Sequence, residues 1–575
     1  MTKDFSVLKK NLKKDFSGLK EVKVALLGDT ATQFLVQGIR ATGFDYGFDL
    51  QIYEADFNQI EQEVFDPSSN LYAYQPDVVI IFKSSHKLLS QYNKLSANKY
   101  NNLAGNELMT IESLITQITK RINSNIIFFN YPEINDSVFG NYANKSATSF
   151  LYQLRKLNYE LMNLAIKYPN FHLLDISALQ SQLSKSVLFH PSVYINSDMV
   201  LSIAGLPYVA ARTLDLIGAM YGKFIKCVVL DLDNTLWGGI IGDDGLENIQ
   251  LGSLGIGKAF TEFQYWLKKL KNRGIILTVC SKNTEHVAKE PFERHPDMVL
   301  HLDDIAVFVA NWDNKADNIH LIQKTLNIGF DSMVFLDDNP FERNLVKESI
   351  PQLCVPELPE DPAEYLEYLY TLNLFETVSV SAEDAERTKQ YQIEAQRTAI
   401  QQSFVNEDDY LKSLNMLSLV EPFNKFNTPR VAQLTQRSNQ FNLRTIRYNE
   451  AEVEALTQSH TAFTFSFTLE DKFGDNGLIC VIILKKEDED TLFIDTWCMS
   501  CRVLKRKMEH FTLNTIVDCA RLKGFAYIKG EYLPTAKNAM VKDHYANLGF
   551  EQCNGHWLLN ISQYQNKDCF IKNKN

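Results

Sequence analysis

Asp231 and Asp233 stand two residues apart at the end of an apolar run, Val228-Val229-Leu230, and Thr235 follows two residues later. Extended backbone alternates its side chains, so the two carboxylates leave the chain on the same side. An aspartate nucleophile, a second aspartate for acid–base work and a divalent cation between them can carry out phosphoryl transfer. Three more chemical groups follow downstream. Ile275–Cys280 is an apolar run ending in Ser281, Lys315 lies in NWDNKADNI, and MVFLDDNPFER ends an apolar run in Asp337 and Asp338. In parallel α/β sheets, ligand sites form just past the C-terminal ends of such strands. A single acidic strand end is commonly a solvated helix cap. Four groups in this order point to one site.

The D-x-D-x-T string, with Ser281, Lys315 and Asp337-Asp338 in sequence, resembles the haloacid dehalogenase superfamily. The resemblance implies that Asp231 is a nucleophile forming an aspartyl-phosphate and that Asp233 is a general acid and base. It implies Mg2+, a cation that takes hard oxygen ligands. The ligands would be the Asp231 carboxylate, the Asp233 backbone carbonyl and Asp338, with Asp337 as the alternate or outer ligand. Ser281 and Thr235 would donate hydrogen bonds to the phosphoryl group, and Lys315 would balance its charge. The gaps between motifs bear on the substrate. From 231 to 281 is 50 residues and from 281 to 315 is 34. The first gap holds a Gly-rich flap, Trp237–Gly245, and a helical pattern, AFTEFQYWLKKLKNRG. Neither has room for a lid of its own, and an open site favours a macromolecular or carrier-linked substrate over a free metabolite.

The elements that must position these groups belong to a long chain. At 575 residues it exceeds one core, and three or four domains are expected. A hydrophobic content of 45% with 22% charged residues describes ordinary globular domains. The net charge is −12 and no basic stripe is interleaved with aromatics, so nucleic acid is not an expected partner. No run approaches the ~18 apolar residues of a membrane span. The opening MTKDFSVLKKNLKKDFSGLK lacks the continuous apolar stretch of a signal peptide. An odd count of nine cysteines without an export signal reads as a reduced, cytoplasmic protein.

Residues 1–222 read as a separate α/β domain with strands at VKVALLG (22–28), PDVVIIF (76–82) and NIIFFN (125–130). Gly28-Asp29-Thr30 resembles the Gly-Asp-Ser of SGNH hydrolases, with Thr30 in the serine's place. The family's late Asp-x-x-His reads Asp198 to Leu201. A hydroxyl without an orienting base is a poor nucleophile, so a degenerate docking domain is expected, with His190 the neighbouring histidine. Residues 223–362 carry the phosphoryl-transfer motifs and leave through the Pro-rich VPELPEDP (355–362). Residues 363–420 read as a helical linker, in which Ser381 and Asp384 are spaced as a capping box.

Residues 421–575 alternate strands and helices, and HYANLGF (544–550) resembles the Tyr-x-x-x-Gly-Phe element of GNAT acetyltransferases. That fold binds a cofactor pyrophosphate on an Arg/Gln-x-x-Gly-x-Gly/Ala turn. Here Arg502 opens the string, and Lys505 and Lys507 replace both glycines. Glycine admits close approach of backbone to phosphate. The expectation is therefore the fold without ordinary acetyl-CoA chemistry, with Lys505, Arg506 and Lys507 available to hold a phosphate electrostatically.

The domain order resembles the FkbH-like proteins over nearly the whole chain. The strings that carry it are DLDNTLWGGIIGDDG, CSKN, FLDDNPFER, QRSNQFNLRT, MSCRVLKRKMEH and LPTAKN. The resemblance implies a multidomain α/β architecture. A central haloacid dehalogenase-like Rossmannoid parallel sheet without a cap would lie between an SGNH-like α/β domain and a GNAT-like α+β domain. It also implies a glyceryltransferase/phosphatase. Such an enzyme takes a phosphorylated three-carbon metabolite, 1,3-bisphosphoglycerate, removes phosphate and delivers a glyceryl thioester to an acyl carrier protein. An enzyme-bound thioester requires a cysteine, and Cys280 beside Ser281 and Cys501 beside the lysine-rich turn are the candidates. Alternation turns Cys280 to the face opposite Ser281. Asn283, Arg343 and Arg502 are candidate substrate contacts, and Trp237 a candidate wall. Two other readings stand beside this one. The first is a plain phosphatase in surface-polysaccharide or related biosynthesis, with the C-terminal domain as a docking module. The second is a GNAT-type acyltransferase regulated by a phosphatase-like domain.

Overall fold

The structure, a computed structural model, describes residues 3–574 apart from 381–383, 385, 402–403, 501–502, 536 and 554, and apart from the side chains of 395, 396, 398, 399 and 401. The chain divides into two compact units, Met1–Ala219 and Met220–Asn575.

In the first unit, β1 (Lys20–Gly28), β2 (Phe48–Glu54), β3 (Val78–Phe82), β4 (Asn125–Phe129) and β5 (Phe171–Leu174) form a parallel sheet in the order β2-β1-β3-β4-β5. β3 is Val-Val-Ile-Ile-Phe and buried throughout. Such an unbroken apolar run marks a strand covered on both faces. The helices α1 (Gln33–Asp45), α2 (Leu103–Arg121) and α3 (Phe150–Lys167) supply the crossovers. Ser149 caps α3 by accepting from the Tyr152 amide.

The second unit begins with another parallel sheet. β6 (Cys227–Leu230), β7 (Ile276–Ser281), β8 (Ile305–Ala310) and β9 (Met333–Leu336) stand in the order β8-β7-β6-β9. Leu230 of β6 lies level with Val279 and with Leu336. That register puts the residues after β6 and β9, Asp231 and Asp337, side by side, and the Asp231 amide donates to the Leu336 carbonyl at 3.0 Å. The helices α4 (Gly255–Asn272), α5 (Glu285–Arg294), α6 (Lys315–Leu326) and α7 (Pro340–Ser349) pack on its two faces. The expected flap is a short excursion tied back by a bridge between Gly238 and Gln250. The second gap contains α5, a single 3-10 turn at Leu302–Asp304 and β8, all part of the sheet layer itself.

The core extends past the Pro-rich exit. Helix α8 (Tyr365–Leu372) places Tyr365 and Leu369 in the same apolar cluster as Leu230 and Trp237. The layer therefore runs beyond residue 362 into the segment read as linker. The capping box at Ser381 lies outside the described residues. The next long helix, α9 (Arg387–Gln401), packs against both β8 and a strand of the following sheet.

That sheet is mixed. Its strands are β10 (Met416–Ser418), β11 (Val420–Glu421), β12 (Ala462–Asp471), β13 (Gly474–Lys486), β14 (Thr491–Met499), β15 (Tyr527–Gly530), β16 (Glu551–Cys553), β17 (His556–Asn560) and β18 (Ile571–Asn573). Their order is β16-β17-β15-β14-β13-β12-β10-β18, with β11 on β12. β12 and β13 form a long antiparallel hairpin, Asp471 facing Gly474 across its turn. The helices α10 (Thr428–Arg437), α11 (Glu450–Thr457) and α12 (Met508–Leu522) complete this layer. β14 and β15 run parallel but pair only over Thr491–Phe493 and Tyr527–Lys529, and then diverge. The chain fills this splay itself: Met499 donates to the Phe441 carbonyl at 3.0 Å, and Leu443 donates to that of Trp497 at 3.3 Å. Backbone groups that diverging strands leave bare are thereby satisfied from within.

Candidate functional site

The C-terminal edge of the β8-β7-β6-β9 sheet gathers the chemical groups read from the sequence. One ligand oxygen each from Asp231, Asp337 and Asp338 lies within 4.8 Å of the others. Lys315, the first residue of α6, reaches in with Nζ 3.0 Å from Asp231 Oδ1 and 2.6 Å from Asp337 Oδ2. Lys315 and Asp337 are buried, with side chains 4% and 0% exposed, so these charges face little solvent. Burial works against the Lys315 charge, but Asp231 and Asp337 carry its pKa well above the ordinary range. Burial, and then the charge of Asp231, push the Asp337 carboxyl up to about 7. Asp338 moves upward for the same two reasons.

Three carboxylates around one ammonium leave negative charge uncompensated in a dry place. All the free donors are hard oxygens. That donor set fits a divalent cation of the Mg2+ type, with Asp231, Asp337 and Asp338 as its holders.

Asp233 stands apart from this cluster. Its Oδ1 accepts from Trp237 Nε1 at 2.9 Å and from the Ile241 amide at 3.0 Å, and its Oδ2 accepts from Asn283 Nδ2 at 2.8 Å. Burial raises its pKa despite these donors, and Asp231 adds to the shift. Asn234, in the left-handed region at φ 53°, turns the chain after it and accepts from the Gly239 amide. Asparagine tolerates that conformation better than most residues.

Several expected substrate contacts are also bonded within the site. The Thr235 hydroxyl accepts from the Asp338 amide at 3.1 Å and stands 3.4 Å from Asp338 Oδ1. Trp237 is fully buried, its ring edge-on to Phe292, so it packs under Asp233 and is no open wall. Asn283 orients Asp233 and also reaches Ser281 Oγ at 3.4 Å. Arg343 is buried; Nη1 donates to the carbonyls of Asp337 and Asp338 and Nε pairs with Glu357. It fixes the turn that carries two carboxylates. Cys280 points into the opposite core, its Sγ 3.6 Å from the Lys315 carbonyl, and burial drives its thiol pKa far up. A thiol so placed packs and does not attack. Cys501 and Arg502 lie outside the described residues.

Sequence reasoning passed over two features. Tyr365 Oη donates to the Asn234 carbonyl at 3.1 Å and so braces the turn after Asp233 from a helix 131 residues on. Its signal was present in the apolar periodicity of EYLEYLYTLNLF. Cys498 and Cys501 also form a C-x-x-C spacing, of which the Cys498 partner is fully buried.

The lysine-rich turn keeps its glycine-like form, with Lys505 at φ 62° and Lys507 at φ 57°. Arg506 is buried against Glu394 and Asp471, and Lys507 pairs with Asp408. Two of the three cations expected to hold phosphate are therefore engaged with acids. In the first unit, Thr30 is buried with Oγ1 lacking a described partner, Asp198 pairs with Lys87 at 2.6 Å, and His190 is exposed.

Comparison with known proteins places this geometry. The crystal structure of the N-terminal part of the protein BF1531 from Bacteroides fragilis, containing a phosphatase domain complexed with Mg, is 56% identical. The match covers all of that chain and 66% of this one, with a TM-score of 0.63. The chain belongs to the BF1531 family. Residues 23–218 match the family described as FkbH, N-terminal domain. No curated protein matches the chain. Weaker likenesses run to the ribosomal-protein-S18-alanine N-acetyltransferase from Escherichia coli (15% identity, 26% of this chain and 96% of that one) and to the GNAT domain of S. lividans PAT (16%, 24% and 89%). At TM-scores of 0.21 they decide nothing about this member of the BF1531 family.

Proposed function

We propose that this BF1531-family chain is a Mg2+-dependent phosphatase whose nucleophile is Asp231. The observation that carries the reading is the separation of two kinds of carboxylate at one sheet edge. Asp231, Asp337 and Asp338 cluster around Lys315, and Asp233 is held apart with a raised pKa. Mg2+ bound by the clustered aspartates supplies charge neutralisation that lets an anionic phosphoester approach them. The Asp231 carboxylate attacks phosphorus and the ester P–O bond breaks. Asp233 gives its proton to the leaving oxygen, so the alcohol departs neutral. A water then attacks the aspartyl-phosphate, its proton returns to Asp233, and Asp231 is regenerated with release of phosphate. Lys315 balances the charge of the equatorial oxygens, and the Ser281 hydroxyl donates a hydrogen bond to one of them.

The finer reading is that the substrate is a phosphorylated three-carbon acyl group destined for the thiol of an acyl carrier protein. Support comes from the open edge. No separate lid lies between the motifs, and Ile240, Trp312 and Phe341, 45%, 73% and 69% exposed, stand on the segments that follow β6, β8 and β9. Apolar side chains at such a rim suit a macromolecular partner. Cys280 being buried, the acceptor thiol belongs to the carrier's own phosphopantetheine. The test is phosphate release from an aryl phosphate with Mg2+, compared with Asp231→Asn, followed by intact mass spectrometry of carrier protein incubated with the enzyme and 1,3-bisphosphoglycerate. Release that survives Asp231→Asn overturns the nucleophile. Release without a glyceryl adduct on the carrier leaves a plain phosphatase.

A further inference from the structure

Helix α3 of the first unit is apolar on two sides. Phe150, Leu154, Leu157, Leu161 and Leu164 lie in the core beside the sheet. That is the one apolar stripe a surface helix needs. A second stripe faces outward. Tyr152, Tyr159 and Ile166 follow one another at seven-residue spacing with Met162 between them, and all four are between 39% and 83% exposed. Residues seven apart are about two turns apart on one face, so these side chains form a single line roughly 21 Å long. On the neighbouring α2, the exposed Met109 stands one turn before Glu112, which pairs with Lys167 at 2.5 Å, and so widens the patch. A contiguous apolar line on the outer face of a helix already seated by its inner face marks an interaction surface.

The stripe is complementary to itself. With Tyr159 on a two-fold axis, two copies of α3 run antiparallel and Tyr152 of one meets Ile166 of the other. On one flank Met162 falls opposite Arg155. Glu133 already holds that guanidinium at 2.8 and 2.9 Å, so the arginine stem is a fixed apolar shelf. On the other flank Lys156 falls opposite Glu160 and Asn163. Lys156 is exposed, Glu160 accepts from Asn163 Nδ2 at 3.1 Å, and neither is in an ion pair among the described residues. A two-fold contact presents the same patch from both copies, so each such match occurs twice. With on the order of 100 Å2 from each apolar side chain and the Arg155 and Lys156 stems added, the pair buries roughly 1,000–1,200 Å2 in total, at the lower edge of the range for a specific interface.

We propose that the chain forms a two-fold dimer in which α3 packs antiparallel against α3 of a second copy, with Tyr159 at the axis. The test is sedimentation velocity of the full chain over a dilution series, and a dimer at micromolar concentration is expected. Ile166→Asp leaves the inner face of α3 untouched and buries an unpaired carboxylate in the contact, so it should weaken dimerisation by at least about 100-fold. Tyr159→Glu, which sets two carboxylates across the axis, should do the same. Lys156→Glu places like charges opposite Glu160 and should weaken the dimer by about tenfold, and adding Glu160→Lys should restore it. That rescue reads the antiparallel register, which a merely apolar contact would not show. A monomer at every concentration gives the stripe to a different partner and overturns the proposal. A dimer that Ile166→Asp and Tyr159→Glu both leave intact overturns it by placing the interface elsewhere, and a charge swap without rescue overturns the register.

Discussion

At the residue scale the proposed mechanism depends on how one carboxylate is kept different from its neighbours. Asp231→Asn keeps the size of the side chain and removes the nucleophile; kcat for an aryl phosphate should fall by at least about 1,000-fold, measured at saturating substrate and Mg2+. Asn283→Ala removes the donor 2.8 Å from Asp233 Oδ2 without touching the clustered aspartates. Here kcat should fall by about tenfold while KM stays level, because the proton donor is misplaced and phosphate binding is not. A rise in KM with kcat unchanged would place Asn283 on the substrate. In the first unit Asp29 is buried, and desolvation holds its carboxyl at about 7 although the Ser84 amide donates to both oxygens. Unfolded, it titrates near ~3.9. Between those values the folded state binds the extra proton, so stability falls as pH rises through the window. Asp29→Asn should flatten that slope, a gain on the order of 2–4 kcal/mol at pH 8, read from urea midpoints across pH.

At the element scale, the turn before α12 and the helix after the Pro-rich exit make separate demands. Lys505 is exposed and left-handed at φ 62°. Such a conformation costs a side chain about 1 kcal/mol, and glycine's extra freedom in the unfolded chain offsets part of the relief. Lys505→Gly should therefore stabilise by about 0.5 kcal/mol in denaturant titrations. Helix α8 does the opposite work. Leu369 is 2% exposed within the core under the acidic sheet edge. Leu369→Ala should cost about 2–4 kcal/mol through the cavity it leaves. A cost below 1 kcal/mol would return this helix to the role of linker.

Within the larger unit, α9 joins two sheets. Gln392 donates to the Ile305 carbonyl on β8 at 2.9 Å, Tyr391 sits in the core beneath β6, and Arg397 pairs with the buried Asp471 of β12 at 2.8 Å. Asp471 keeps Arg506 at 3.3 Å, so the loss is of one of two buried partners. Arg397→Met should destabilise by about 1–3 kcal/mol and broaden or split the calorimetric transition of Met220–Asn575. A single, unshifted transition would show that the two sheets do not depend on this helix.

Much of the site was legible in the sequence because its chemistry is local. Asp231, Asp233, Ser281, Lys315, Asp337 and Asp338 each follow an apolar run or open a helix, and strand-end position alone gathers them once the sheet is parallel. What each neighbouring side chain does was not legible. Thr235, Asn283 and Arg343 read equally well as ligand contacts or as braces, and only packing showed that they hold Asp338, Asp233 and the Asp337-Asp338 turn. The extent of the layer was hidden for a similar reason. Tyr365 returns to Asn234 across 131 residues, a contact that carries no local signature. The sequence by itself determined which groups stand at strand ends, since periodicity and hydrophobic burial set that. The tertiary structure alone decided which polar groups bond to one another, since hydrogen-bond partners are fixed by distances in space and not by spacing along the chain.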